Sequence, residues 1–212
     1  MASENNWDSA AESTEIKALK MPAGGDYGLR ILAPEWLEME RVYQKVDPKL
    51  PPDIWDFGTE ANRPQPTDFE VLVNGKPVAV AAVGFKRRVL YAPLKVRDLR
   101  VGNWLYLNLA APVPEGAEVK VTCKREGVIL PDENWSAKAA PWRYSPALHV
   151  NQDAYPAEGT KLGYVGLYLG SSGELVTAER TFALVDLTTG EKAFEGTLTP
   201  RLDKGFGRPS YQ

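Results

Sequence analysis

"DFEVLVNGKPVAVAAVGF", residues 68–85, is the stretch on which the fold class turns. Phe69, Val71 and Val73 alternate with polar or smaller neighbours, and Val78 and Val80 alternate again beyond Asn74-Gly75. A period of two belongs to a strand with one buried face. Asn-Gly supplies two consecutive residues that tolerate positive φ, as a type I′ turn requires, and the twist of that turn matches the twist of paired strands. The stretch predicts a β-hairpin.

The same period recurs on either side. In "NWLYLNLA", Leu105, Leu107 and Leu109 share one face, and Trp104, Tyr106 and Asn108 the other. "AEVKVTC" places Val119, Val121 and Cys123 together, and "EWLEMERVY" puts Leu37 and Met39 inward with Glu38 and Glu40 outward. Seventeen prolines and eighteen glycines break these runs at short spacing. Proline removes a ladder donor and so sits at edges and turns. Many short strands with turn signals between them predict an all-β chain of immunoglobulin-like sandwiches.

A length of 212 residues suits one or two domains. The spacing predicts a disordered polar tail over residues 1–15, a first β-sandwich over 16–143, and a second, truncated one over 144–212, with the boundary near "KAAPWRYSPALHV". The second part offers strands near "ALHVN", "KLGYVGLYL", "RTFALVDL" and "KAFEGTL", with a hairpin turn at Gly190. Those four strands make half a sandwich, whose inner face needs a cover.

Composition excludes several chemistries. One cysteine, Cys123, allows neither an internal disulfide nor a cysteine-ligated structural zinc. A net charge of −3 gives no general attraction to nucleic acid or to an anionic membrane. No apolar run reaches the roughly 18–20 residues of a membrane span. The N-terminus lacks the plan of a signal peptide and reads as the start of a trimmed mature chain. No cofactor is expected.

From Ser145 onward the chain resembles the N-terminal immunoglobulin-like domain of bacterial family 9 glycoside hydrolases, the cellulase N-terminal region. Val150, Asn151, Gln152, Tyr155, Pro156 and Lys161 match the family's opening pattern. Phe182, Val185, Asp186, Thr189, Gly190, Phe194 and Gly196 match a later one, and Ala154 departs from the usual glycine. The preceding segment is similar, more loosely, to an extra β-domain that some members carry.

The resemblance implies a non-catalytic accessory region of a secreted, bacterial, cellulase-like enzyme, supporting an α-helical catalytic barrel. The family's catalytic carboxylates lie in that barrel. The chain stops at "GFGRPSYQ" ahead of it, which implies a fragment, or a homodimer if that end is natural. The expected partner is the barrel, with no nucleic acid and no membrane. The alternative is a carbohydrate-binding module for cellulose or another β-glucan, with flat aromatic rings against pyranose faces. Its contact candidates are Trp135, Trp142, Tyr144 and Trp55, whose bland alternative is packing at the seam between domains.

Other residues bear on chemistry. Asp53 and Asp56 in "PPDIWDFG" form the most suggestive acidic pair, against a solvated loop with Trp55 and Phe57 packed beneath it. His149, the single histidine, reads as a structural residue bonded to backbone at the domain junction, with Asn151, Gln152 and Tyr155 bracing the turn beside it. The basic run "FKRRVLYAPLKVRDLR" reads as a charged strand face or as one half of a set of salt bridges.

Overall fold

The computed structural model describes residues 22–45, 47, 49, 55–95, 98–151, 154–177 and 180–200. The expected tail over 1–15, Asp53 and Gln152 lie outside the described residues. The chain divides into two compact units, Met1–Glu174 and Leu175–Gln212.

The first unit is built on two four-stranded antiparallel sheets. One has the order β1-β2-β6-β5, from β1 (Tyr27–Ala33), β2 (Trp36–Lys45), β5 (Val80–Tyr91) and β6 (Leu99–Leu109). The other has the order β4-β3-β7-β8, from β3 (Phe69–Val73), β4 (Lys76–Val78), β7 (Glu118–Cys123) and β8 (Ser136–Lys138). The all-β, sandwich-like architecture read from the sequence is present. One apolar core lies between the sheets, with Leu37, Met39, Leu105, Leu107 and Leu109 from the first and Phe69, Val71, Val73, Val119 and Val121 from the second.

The Asn74-Gly75 turn forms as predicted. Val73 pairs with Lys76 across it, and Asn74 and Gly75 have φ of 48° and 74°. The Asn74 side chain accepts the Glu118 amide, which ties the turn to β7. Replacing Gly75 by alanine puts a Cβ on a left-handed residue and should cost about 1 kcal/mol, read as a lower urea midpoint with an unchanged m-value.

Beyond Val78 the chain does what periodicity cannot show. The second arm of the hairpin breaks at Ala79 and re-enters as β5 in the opposite sheet, where Ala79 accepts the Ala110 amide. The alternation of Val78 and Val80 therefore spans two strands in two sheets.

The boundary also differs from the one expected at 143/144. The segment after Tyr144 belongs to the first unit because it packs on the outer face of the β1-β2-β6-β5 sheet. Ala147 and Leu169 are buried, and the Ser145 hydroxyl reaches the Leu32 carbonyl at 3.5 Å. Short strands β9 (Leu148–His149) and β10 (Tyr164–Val165) pair within this segment.

The second unit is described as one antiparallel hairpin, β11 (Thr181–Val185) with β12 (Lys192–Thr197). Its turn is shaped by Asp186, whose carboxylate accepts the Thr188 amide at 2.7 Å and the Thr189 amide at 3.4 Å. Those amides hold the carboxyl below its usual value.

Candidate functional site

The register of the first sheet sets Tyr27, Arg41, Asn103 and Arg87 abreast on its inner face. The adjoining row, Leu29, Met39, Leu105 and Phe85, is apolar. The core therefore changes character within one step of the pleat. The Arg41 guanidinium lies 5.2 Å from the Trp55 ring centre and 5.8 Å from that of Trp135. The two indoles stack at 5.7 Å with 22° between planes. Arg41 donates to Glu133, whose Oε2 also accepts the Leu130 amide at 2.9 Å and Trp135 Nε1 at 3.1 Å. Burial pushes this carboxyl up, but Arg41 and the two N–H donors outweigh it and hold the carboxyl below its usual value.

Arg87 extends the row. Its Nε donates to Asn103 Oδ1 at 2.7 Å, Nη2 to the Trp55 carbonyl at 2.7 Å, and Nη1 to Asp56 at 3.3 Å. Asp56, one of the suggestive acidic pair, is thus an ion-pair partner above packed Trp55 and Phe57. The arrangement fixes the loops over that end of the sandwich.

A second charged cluster occupies the outer face of the same sheet. Arg30, Glu38, Tyr106 and Gly84 form one row, and Gly28, Glu40, Trp104 and Lys86 the next. Arg30 bridges Glu38 at 2.7 Å and Glu40 at 2.6 Å. Glu38 is only 2% exposed. Burial pushes its carboxyl above the usual range, against the pull of Arg30. The Lys86 ammonium lies 4.8 Å from the Trp104 ring centre and 5.3 Å from that of Tyr106, and donates to the Tyr168 carbonyl at 3.1 Å. Burial lowers its pKa, with Glu38 opposing. The Tyr106 phenol is pushed up by burial and then by the Glu38 charge, and its hydroxyl has no partner of good hydrogen-bond geometry.

Sequence reasoning missed this cluster because it placed Glu38 and Glu40 in water. A signal was present: "NWLYLNLA" carries large side chains on both faces, and a strand apolar on both sides is covered on both sides.

The expected sugar-contact residues separate into two groups. Trp55 and Trp135 are in the core, so no platform forms from Trp135, Trp142 and Tyr144 together. Trp135 is held by Tyr27, Trp55 and the Glu133 carboxylate, which consume its faces and its N–H. Trp142 and Tyr144 are 65% and 57% exposed.

At the segment that opens with β9, the His149 imidazole lies 2.8 Å from the Gly166 carbonyl, a backbone contact across β9 and β10. The Tyr155 hydroxyl accepts the Asn151 amide at 2.9 Å and donates to the Leu162 carbonyl. Lys161 caps the carbonyls of Ala157 and Gly159 at 2.8 and 3.2 Å. Tyr155 and Lys161 thus bind the turn with their polar ends.

The basic run does not form one patch. Lys86 packs on rings, Arg87 binds the inner row, and Arg100 pairs with Asp98 at 2.9 Å while lying 5.6 Å from the Tyr91 ring centre. A shallow groove of about 540 Å³ lies along the second sheet, lined by residues that include Leu72, Ala137, Lys120 and Lys138. Among the described residues there is no group of three or more His, Cys, Asp or Glu side chains placed to hold a metal ion, and no helix long and apolar enough to cross a membrane. Comparison with protein-family models, with curated proteins and with solved structures finds no match for the chain.

Proposed function

We propose that the chain is a non-catalytic accessory region of a secreted, bacterial family 9 glycoside hydrolase, with an immunoglobulin-like second domain that supports and positions a helical catalytic barrel. The observation that carries this reading is the hairpin β11–β12. Phe182 and Phe194 from the family pattern lie with ring centres 5.9 Å apart, and Phe182, Leu184 and Phe194 are 39%, 54% and 55% exposed. Covering a large apolar side chain is worth roughly 1.5–3 kcal/mol, so such a face favours a partner surface. The residues of the opening pattern support the same reading, since Tyr155 and Lys161 satisfy turn backbone and point to no reacting group.

Glycoside hydrolysis needs two carboxyl groups facing a sugar, one of them with a raised pKa. Glu38 has the raised pKa but lies sealed within the fold, where a glycan does not reach it. The role is then mechanical: an apolar face buried against the barrel stabilises it and fixes its direction.

A second reading, a cellulose-binding module, draws on Trp142 and Tyr144, both exposed and two residues apart. One experiment separates the two. The chain is mixed with a separately produced family 9 catalytic barrel, and in parallel with insoluble cellulose. The expected result is co-elution and a higher Tm for the barrel, both lost in the Phe182→Ser/Phe194→Ser variant. An unaffected barrel overturns the accessory reading. Depletion by cellulose that Trp142→Ala abolishes then puts the binding module in its place.

A further inference from the structure

β5 is an edge strand, with β6 on one side and no strand on the other among the described residues. A bare edge invites a further strand. Its straight stretch runs from Ala82 to Val89, because the register with β6 slips between Val80 and Ala82 and again between Val89 and Tyr91. Such slips disrupt the ladder, so an added strand has to use the stretch between them. Its first half, Ala82–Phe85, is uncharged, and its second half carries Lys86, Arg87 and Arg88.

A second copy of the same strand can add antiparallel about a two-fold axis. Centred on Phe85, that pairing sets Lys86 opposite Gly84 of the copy, Arg87 opposite Val83 and Arg88 opposite Ala82, so each basic side chain meets an uncharged residue. Centred on Gly84, it sets Phe85 opposite Val83 and Lys86 opposite Ala82. Centred on Lys86 or Arg87, it sets basic residues directly opposite one another, which is destabilising. The basic run thus rejects the later registers. It leaves open two, and both need the N–H and C=O of Phe85, which point away from β6.

Those groups are where the turn Tyr168–Gly173 sits. The Phe85 amide donates to Ser171 Oγ at 2.9 Å. Gly170, with φ of 62°, lies so close that a Cβ there would stand 2.1 Å from the Phe85 carbonyl oxygen. A Cβ on Gly84 would stand 2.1 Å from the Ser172 hydroxyl. Two glycines therefore set the approach, and Lys86 adds its bond to the Tyr168 carbonyl at 3.1 Å. The turn is closed on itself by Leu169 N–H to the Gly173 carbonyl at 2.7 Å and by a Tyr168–Glu174 bridge.

We propose that the turn Tyr168–Gly173 is an edge guard that keeps β5 from pairing with β5 of a second copy of the chain. It covers the one place on the straight stretch that like-charge repulsion leaves open. The Phe85 amide is satisfied by a side-chain oxygen, so the cover does not itself extend the sheet. With the turn lifted, two Phe85 residues facing each other exchange both N–H···O=C bonds, as opposed residues of an antiparallel pair do.

Sedimentation and amide exchange on the full chain, over a range of concentrations, test this. Gly170→Val forces the turn off the strand. It should self-associate on the order of tenfold more tightly than the wild type, the scale of the two backbone bonds exchanged. Its Phe85 amide should exchange freely in dilute solution and become protected as the concentration rises. In the wild type that amide should be protected at every concentration. Adding Ala82→Lys, at an exposed position, sets a lysine opposite a basic residue in both open registers and should return Gly170→Val to wild-type association. An exchanging Phe85 amide with no gain in association, a gain that Ala82→Lys leaves untouched, or a Phe85 amide still protected in dilute Gly170→Val each overturns the guard. If Gly170→Val does not fold, Ser171→Ala, which deletes one hydroxyl, takes the same readings with a smaller shift and the same outcomes decide.

Discussion

Glu133→Ala is expected to lose about 3–5 kcal/mol of stability, a large share of the roughly 5–15 kcal/mol of a typical domain. The change removes the counter-ion of Arg41 and leaves that guanidinium enclosed by Trp55 and Trp135. It also strips an acceptor from the Trp135 indole and from the Leu130 amide. The desolvation already incurred by Arg41 is then uncompensated, which is why breaking a buried pair costs more than the pair contributes. Urea unfolding of Glu133→Ala and of the Arg41→Met/Glu133→Leu double variant checks this. The double variant removes both charges and should recover much of the loss. Equal losses would show that packing, and not the stranded charge, is at stake.

Acid should act on the same contact. Glu133 sits below its usual pKa when folded, so its contribution is present above the unfolded value, near 4.5, and is lost as pH falls through the folded value. Wild-type stability should fall on that acid side, and Glu133→Ala should show a shallower fall.

A chain shortened to end at Tyr144 is the second large effect. It loses the buried side chains of Ala147 and Leu169 and the turn that packs on Gly84, Phe85 and Lys86 of β5. Burial of a large apolar side chain such as Leu169 is worth roughly 1.5–3 kcal/mol, which sets the scale of the loss. A chain ending at Glu174 keeps every one of these contacts and should melt near the full chain. Thermal unfolding of the two shortened chains decides the matter. Equal melting temperatures would mean that the segment after Tyr144 adds nothing to the sandwich.

These two effects mark where the sequence stopped being legible. The Asn74-Gly75 hairpin could be read because the turn needs nothing beyond its own φ angles. Leu37, Met39, Leu105 and Leu107 could be read because a period of two fixes which side chains share a face. Arg41 could not: on β2 it continues the inward series of Leu37 and Met39, and an arginine there reads as the end of the buried run. It is buried because Trp55, Trp135 and Glu133, from loops far along the chain, converge on it. Glu38 was misread for the complementary reason, since its face was taken to meet water and the side chain is buried.

The candidate site followed the same division. Tyr155 acts on the turn a few residues from itself, and His149 on the Gly166 carbonyl across the neighbouring strand, contacts that stay within one short segment of sequence. Trp55 and Trp135 are separated by eighty positions, and their stacking depends on two loops meeting.

By itself the sequence determined the all-β class, the strand faces, the turn at Asn74-Gly75 and the hairpin around Asp186 and Gly190, because each rests on local backbone geometry and on side-chain period. Only the tertiary structure decided that the chain changes sheets at Ala79, that the segment after Tyr144 belongs to the sandwich, and that Arg41 and Glu38 are buried. Those outcomes depend on which distant surfaces exclude water from a given side chain, and no short window of sequence carries that information.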